Sequence, residues 1–377
     1  TNNLPPFVLP RTQPSNWPPH QTWRNNSPPF AMSYAIEFTN PKAISSIDIA
    51  DEKAPGPGEA LVKTHRMGIC GTDLSCYLGK FPFFDYPRTP GHELGLEVIA
   101  VGNGVTNVKV GDKCSLEPYV NDPDSSTSQK GNSNCCPGVQ VIGVHGPGGL
   151  RKANWTVPAR KLHVGNKLSY DELALVETLA IGYHAVQRGN PKPGETVIVI
   201  GAGPIGLSCL EFLKLMPEVN VIVMDMVQSR LDFCAKNLGI ENGVLFTMDG
   251  SHLKKLEEMT GSKLADIVID ATGSVKSMSS CFEYGGFTSR IVYVGITTEN
   301  LSFPHAPVFH RREQMLLASR NALPADFEEI IKIIESGEID TKVWITHRLD
   351  IEEVPTEFDK FTDPKLGSIK AVITVNN

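Results

Sequence analysis

The sequence predicts an α/β protein built from two parts: a β-rich, barrel-like half and a doubly wound parallel sheet. Three observations carry this. From residue 195 to about 300, short apolar, β-branched runs alternate with helical stretches, as in a parallel sheet covered on both faces. From residue 32 to about 105, strand-like runs are punctuated by Pro-Gly-Pro-Gly at 55–58 and by Gly102 and Gly104. Each half also carries its own chemical phrase, GICGTD…GHE in the first and G-x-G-x-x-G in the second.

Residues 1–31 form a Pro-rich extension, in which Pro5, Pro6, Pro10, Pro14, Pro18, Pro19, Pro28 and Pro29 exclude a helix or a central strand. It reads either as a leader or as an arm anchored by Trp17, Trp23 and Phe30. SYAIEF, SSIDIA, EALVKTHRMGI and GLEVIAVG are then expected as strands, with the chemical phrases on loops between them. Residues 169–188 read as a helix, because Ser169 and Glu172 have the spacing of a capping box. The parallel strands are TVIVI, VNVIVMD, NGVLFT, ADIVIDAT and SRIVYVGI, with helices near 204–216, 228–238, 251–260 and 275–284. Beyond 319, the helix ADFEEIIKIIESG and the strand KAVITV are expected to rejoin the first half. The domains are therefore 32–180 with 319–377, and 181–318.

Composition excludes several classes. A chain of 377 residues with 41% hydrophobic and 20% charged residues is an ordinary globular protein with room for two domains. The net charge of -7, with scattered Lys and Arg, lacks the basic footprint of a nucleic-acid binder. No apolar run approaches a membrane span, and the first residues lack a secretory pattern. Eight cysteines are sparse for this length, so a reducing, cytoplasmic setting is expected.

The glycine phrase is specific because of its surroundings. Gly201, Gly203 and Gly206 follow a short apolar strand and open a helix, an arrangement that cradles a dinucleotide pyrophosphate. Asp225 closes the next strand, 19 positions past Gly206, near the spacing at which an acid binds a ribose diol. A carboxylate there repels a 2′-phosphate, which favours NAD over NADP. Asp225 also reads as a cap for the next helix. Pro204 and Ile205, inside the phrase, and Arg230, just beyond Asp225, belong to the same expected site.

Cys70, His92 and Glu93 join a soft thiolate, an imidazole and a hard carboxylate, the mixed donor set of a catalytic rather than a structural zinc. Cys70 alone also reads as a buried free cysteine, or as a nucleophile with His92 as its base. The dinucleotide phrase argues for hydride chemistry instead. Glu177 reads as a solvated helix residue or, because it stands among Leu173, Ala174, Leu175, Val176, Leu179 and Ala180, as a carboxylate needing a partner that a metal would provide.

GICGTD, GHE and VIGAGPIGL, in this order and at these separations, resemble the zinc-dependent medium-chain alcohol and polyol dehydrogenases, with sorbitol-, threonine- and sugar-acid-dehydrogenase-like members nearest. EPY, VIGVHGPGG, VETLAIGYHA and ASRNALP strengthen the resemblance, which runs from Met32 to the C-terminus. It implies a GroES-like catalytic domain and a Rossmann domain. It implies Cys70 and His92 as metal ligands, with Glu93, Glu177 or both in turn as the acid. Asp73 matches an acid that orients the histidine, and Thr72 a hydroxyl that passes the substrate proton toward solvent. Thr272, Gly273, Val294, Gly295, Ile296 and Arg320 match positions near the cofactor. Lys370 matches a base that contacts phosphate in some relatives.

Two departures from the family stand out. Where many relatives hold a structural zinc with four cysteines, residues 119–138 have Asp122, Ser125 and Ser128 at three of those places and keep Cys136, so one zinc is expected. Ser75 replaces a relay histidine. The reaction implied is hydride transfer from a secondary alcohol of a polyol, sugar or sugar acid to NAD+, by a homodimer or homotetramer. A zinc-free NAD(P)H-dependent reductase and a non-catalytic cofactor-binding protein are the alternatives. His310, Arg311 and Arg312 read as a contact for an acidic group or as a solvated loop, and Phe81, Phe83 and Phe84 as cleft or core. His184 reads as a packed helix residue.

Overall fold

A computed structural model describes residues 33–52 and 54–377, so the extension expected at 1–31 lies outside the described residues. The strands of the first half are β1 (Ser33–Asn40), β2 (Ala43–Ile49), β3 (Glu59–Gly68), β4 (Glu93–Val101), β5 (Lys113–Leu116), β6 (Tyr119–Val120), β7 (Gln140–Val141), β8 (Trp155–Pro158) and β9 (Leu162–Val164). Its helices are α1 (Gly71–Tyr77) and α2 (Ser126–Gln129), and α3 (Tyr170–Gly189) leads to the second half. The second half runs β10 (Thr196–Ile200), α4 (Pro204–Leu213), β11 (Asn220–Asp225), α5 (Gln228–Phe233), β12 (Gly243–Leu245), α6 (Ser251–Met259), β13 (Ala265–Asp270), α7 (Val275–Ser280), β14 (Gly285–Tyr293) and β15 (Met315–Ala318). Then come α8 (Pro324–Ser336), β16 (Ile345–Asp350), α9 (Val354–Glu357) and β17 (Lys370–Thr374).

A seven-stranded sheet runs β16-β17-β3-β4-β5-β9, with β8 also on β3, while β1 and β2 pair apart from it. The last strands thus rejoin the first half, as the sequence predicts. Two registers matter for function. Glu93 lies opposite Gly68 in the antiparallel pair β3–β4, and Val372 lies opposite Gly68 on the other side, from β17. Three distant parts of the chain therefore meet at the end of β3.

The second sheet is parallel throughout, in the order β12-β11-β10-β13-β14-β15. The order reverses between β10 and β13, and a ligand binds outside the carboxyl ends of strands at such a point. β15 is a strand the sequence reading lacks. It is short and exposed on the sheet edge, so burial imposes no alternation on it. The expected helix 228–238 is α5 followed by one π turn, and 275–284 is α7 followed by a 3-10 turn.

α3 joins the halves. Ser169 Oγ accepts from the Glu172 amide at 3.3 Å and the Glu172 carboxylate accepts from the Ser169 amide at 2.6 Å, closing the expected capping box. Most of α3 is buried, because it packs on β4 and β5 on one side and on α4 and α8 on the other. Gly182 lets α4 approach, since a Cβ there would lie 2.1 Å from Ser208 Oγ. Glu177 and Thr178 ride on this helix between the two halves.

Candidate active site

Cys70, His92 and Glu93 converge, with one ligand atom from each within 4.8 Å of the others. The GICGTD phrase is not a plain loop, as the sequence suggests. Cys70 is the N-cap of α1, where its Sγ accepts from the Thr72 amide at 3.4 Å and the Asp73 carboxylate accepts from the Cys70 amide at 2.9 Å. Nor does Glu93 lie on a loop, since it opens β4. Its carboxylate crosses to β3, where a Cβ on Gly68 would come within 2.1 Å of Glu93 Oε2. That is the physical reason for the first glycine of GICGTD.

Asp73 is buried, and its Oδ1 lies 3.6 Å from His92 Nδ1. Both atoms are buried without a hydrogen-bond partner. This pairing turns the Nδ1 side of the ring toward Asp73 and leaves Nε2 for a ligand. Burial pushes the Asp73 carboxyl up. Burial also disfavours a charged His92, yet Asp73, Cys70 and Glu177 outweigh it and raise that imidazole well above its ordinary value.

The two candidate acids differ. Glu93 is pushed up by burial, but the Lys370 ammonium outweighs this and holds it below the usual carboxylate range. Glu177 is raised by burial, and it accepts a hydrogen bond from the Tyr119 hydroxyl. Glu177 is not within the 4.8 Å donor set, although its charge reaches His92 and Glu93. Lys370 is a correction to the sequence reading. It is buried against Glu93 at 2.7 and 2.8 Å, which occupies the ammonium that a phosphate contact would need. A lysine heading the apolar strand KAVITV was the available signal. Thr72 is half-buried beside Cys70, and Ser75 lies further along α1.

The glycine phrase sits at the switch point. Gly201 turns at φ +92, and a Cβ there would press on Thr272 Cγ2 at 3.0 Å. A Cβ on Gly206 would come within 1.7 Å of the Gly201 carbonyl oxygen, so the third glycine serves close packing. At Gly203 a Cβ meets no atom within 4 Å, which leaves space where a pyrophosphate needs it. Gly203 is the N-cap of α4, with Pro204 and Ile205 in its first turn. Asp225 is buried at the end of β11, accepting from the Ala202 amide at 2.7 Å and the Val227 amide at 2.8 Å, with Arg230 Nη1 at 3.6 Å.

Asp270, which the sequence reading passes over within DATGS, organises the facing loops. Its carboxylate accepts from the Thr272 amide at 2.9 Å and hydroxyl at 2.7 Å. Its carbonyl accepts from Val294 and Gly295 at 3.0 and 3.2 Å. Gly273, at φ +64, and Gly295 pass so closely that a Cβ on Gly295 would lie 2.2 Å from the Gly273 amide nitrogen. Ile296 is left largely exposed there. Arg320 is exposed, and its carbonyl accepts from Asn134 at 2.8 Å. His184 is indeed packed on α3, bonded to Asp326 at 3.0 Å and Asn134 at 3.2 Å.

Other candidates fall outside the site. Arg312 donates to the carbonyls of Glu283 and Gly285 at 3.0 and 2.7 Å, a structural use, while His310 and Arg311 are exposed. Phe84 packs into the core against Phe38, whereas Phe83 is exposed. In the lobe 119–138, hydrogen bonds join the positions where relatives carry ligands. Ser125 Oγ donates to Ser128 Oγ at 2.8 Å, and Cys136 Sγ accepts from the Asp122 amide at 3.4 Å.

A mixed-donor metal cluster and a dinucleotide cradle, brought together by one shared helix, define an oxidoreductase of the metal-assisted, hydride-transferring class. Comparison with known proteins places it further. Residues 56–166 match the alcohol dehydrogenase GroES-like domain, and residues 204–336 match the zinc-binding dehydrogenase family. The chain belongs to the zinc-dependent alcohol dehydrogenase family. It is 34% identical to L-galactonate-5-dehydrogenase of Escherichia coli K12, over 85% of this chain and 93% of that one. It is 30% identical to 2-dehydro-3-deoxy-L-galactonate 5-dehydrogenase of Pseudoalteromonas atlantica, over 91% and 99%. An alcohol dehydrogenase of E. coli CFT073, crystallised with NADH, superposes with a TM-score of 0.83 at 27% identity, covering 91% of this chain and 99% of that one.

Proposed function

We propose that this dehydrogenase uses one zinc ion and NAD to oxidise a secondary hydroxyl of a polyol, sugar or sugar acid to a ketone. The observation that carries the reading is the cluster of Cys70, His92 and Glu93 within 4.8 Å, three donors of the kinds that suit a catalytic zinc. Zinc there supplies Lewis-acid polarisation of the substrate hydroxyl, and NAD supplies hydride acceptance.

The chain's own residues do the rest. Cys70 is held at the start of α1, where its Sγ accepts from the Thr72 amide, and Asp73 fixes the ring of His92 so that Nε2 faces the ligand position. Glu93, ionised beside Lys370, is the third ligand, and Glu177 stands behind it, bonded to Tyr119. The Thr72 hydroxyl, next to Cys70, relays the substrate proton, taking it up as it gives its own proton toward solvent. Gly201, Gly203 and Gly206 seat the cofactor phosphates, and Asp225 takes the ribose diol, which supports NAD over NADP. The loops around Thr272, Gly273, Val294, Gly295 and Ile296, with Arg320, complete the cofactor side.

The loop after β7 supports the metal phrase. The Arg88 guanidinium donates to the His145 carbonyl, and His145 Nδ1 accepts from the Val141 amide at 2.9 Å, so its Nε2 carries the proton. Burial, Arg88 and Arg320 together lower the His145 imidazole below its ordinary range. The same loop packs on GHE, where a Cβ on Gly143 would lie 2.5 Å from the Gly91 carbonyl oxygen.

The hydrogen-bonded lobe supports a single zinc. The exposed edge strand β15, with Met315 and Leu316 facing out, supports assembly of copies edge to edge. The eight free cysteines support a reducing, cytoplasmic setting. No helix among the described residues is long and apolar enough to cross a membrane. The test is metal analysis of purified protein, followed by NADH absorbance with a panel of polyols, sugars and sugar acids. Stoichiometric zinc and turnover of a secondary alcohol are expected; a zinc-free protein, or turnover confined to primary alcohols, refutes the reading.

A further inference from the structure

Lys370 enters the metal pocket from 277 positions beyond Glu93 in sequence. β17 carries it there, because the Ile69 amide donates to the Ala371 carbonyl at 2.9 Å, beside Cys70. Its ammonium donates to both Glu93 oxygens, at 2.7 and 2.8 Å, to Thr178 Oγ1 at 3.0 Å and to the Ile69 carbonyl at 3.4 Å. An ammonium has three protons, so these partners use them all. The side chains of Lys370 and Glu93 are 2% and 1% exposed, so bulk water does not loosen the pair. The Glu93 carboxylate lies in the space that a side chain at Gly68 would fill, since a Cβ there would come within 2.1 Å of Glu93 Oε2.

The same carboxylate is a member of the metal donor set. Its lone pairs are therefore claimed twice, by a fixed ammonium and by the cation that Cys70, His92 and Glu93 would hold. A positive charge locked beside the pocket also repels that cation, strongly so where water is excluded.

We propose that Lys370 is a positioning residue that shares Glu93 with the metal, weakening this third ligand and keeping the metal's remaining position open to substrate. The proposal rests on the zinc reading above. It makes an unusual prediction, because loss of Lys370 frees Glu93 to bind the metal fully. The protein should then hold its metal more tightly while turning over more slowly. A lysine with a merely structural role would, when lost, weaken stability and metal binding together.

The experiment uses the full chain with Lys370→Gln, which keeps a donor but removes the charge, with Lys370→Arg as the conservative control. Zinc affinity is measured by competition with a chromophoric chelator. The visible spectrum of the cobalt-substituted protein reports the donor set, and melting is compared with and without zinc. Lys370→Gln should bind zinc at least tenfold more tightly, alter the cobalt bands, and gain more in melting temperature from zinc than the wild type does. Lys370→Arg should stay near wild type in all three. Unchanged or weaker zinc affinity with unaltered cobalt bands overturns the proposal. If Lys370→Gln does not fold without metal, refolding with cobalt gives the spectrum, which decides in the same way. A wild-type protein that binds no zinc refutes the zinc reading itself, a result distinct from either of these.

Discussion

Alanine at Gly206 and alanine at Gly203 separate two jobs done by one glycine phrase. At Gly206 the added methyl carbon would sit 1.7 Å from the Gly201 carbonyl oxygen and 2.8 Å from its carbon. Both are backbone atoms, so α4 must move away from the turn after β10. Overpacking of this kind costs about 1–3 kcal/mol. At roughly 2–4 °C per kcal/mol for a domain of this size, melting should fall by about 2–12 °C. At Gly203 the methyl meets nothing within 4 Å, and the backbone, at φ -78 and ψ -178, suits any residue. The only folding cost is a poorer N-cap, about 1 kcal/mol or less. Its space is the cofactor's, however, so KM for NAD should rise about tenfold, equivalent to about 1.4 kcal/mol of lost binding. Differential scanning fluorimetry without cofactor, and initial rates against NAD, read the two effects separately. If Gly203→Ala leaves the KM for NAD unchanged, the pyrophosphate does not pass there. If Gly206→Ala melts with the wild type, the close packing argument is wrong.

Cys70→Ser should lose zinc and reduce turnover beyond the roughly 10–100-fold cost of losing an outer-shell partner; elemental analysis and NADH formation check both, and full zinc content would refute the ligand assignment. Asp225→Ser should move the NAD-to-NADP ratio of kcat/KM toward NADP by about tenfold or more, because the charge that repels a 2′-phosphate is gone; an unchanged ratio would show that Asp225 serves only the Ala202 and Val227 amides. Lys161→Met strips the fully buried Glu117 of its ammonium and leaves it His163 at 3.4 Å, which should cost about 3–5 kcal/mol in urea unfolding. Leu316→Lys places a charge on the exposed edge of β15 and should shift sedimentation toward the monomer, with a wild-type profile pointing to another interface.

Legibility in the sequence followed how local each feature is. The capping box of Ser169 and Glu172, the turn at Gly201 and the strands around it are encoded within a few residues, and they form where their patterns place them. α1 was missed because its N-cap is a cysteine, which capping rules do not favour, although Asp73 stands at the right spacing to complete the box. β15 was missed because an exposed four-residue edge carries no burial pattern. Asp270 was missed because, beyond its local bond to Thr272, it meets Val294 and Gly295 through its carbonyl, and only the fold brings that loop alongside.

By itself the sequence determined the chemistry on offer: a thiolate, an imidazole and an acid in two short phrases, and a glycine turn between strand and helix. Residue type and short-range spacing suffice for that, since each phrase forms its local geometry from its own backbone. Only the tertiary structure decided how the two acids divide. Glu93 is ionised because β17 brings Lys370 against it across β3, whereas Glu177 is raised because α3 buries it beside Tyr119. A carboxylate's charge depends on what surrounds it in space, and those neighbours come from strands and helices far away in sequence.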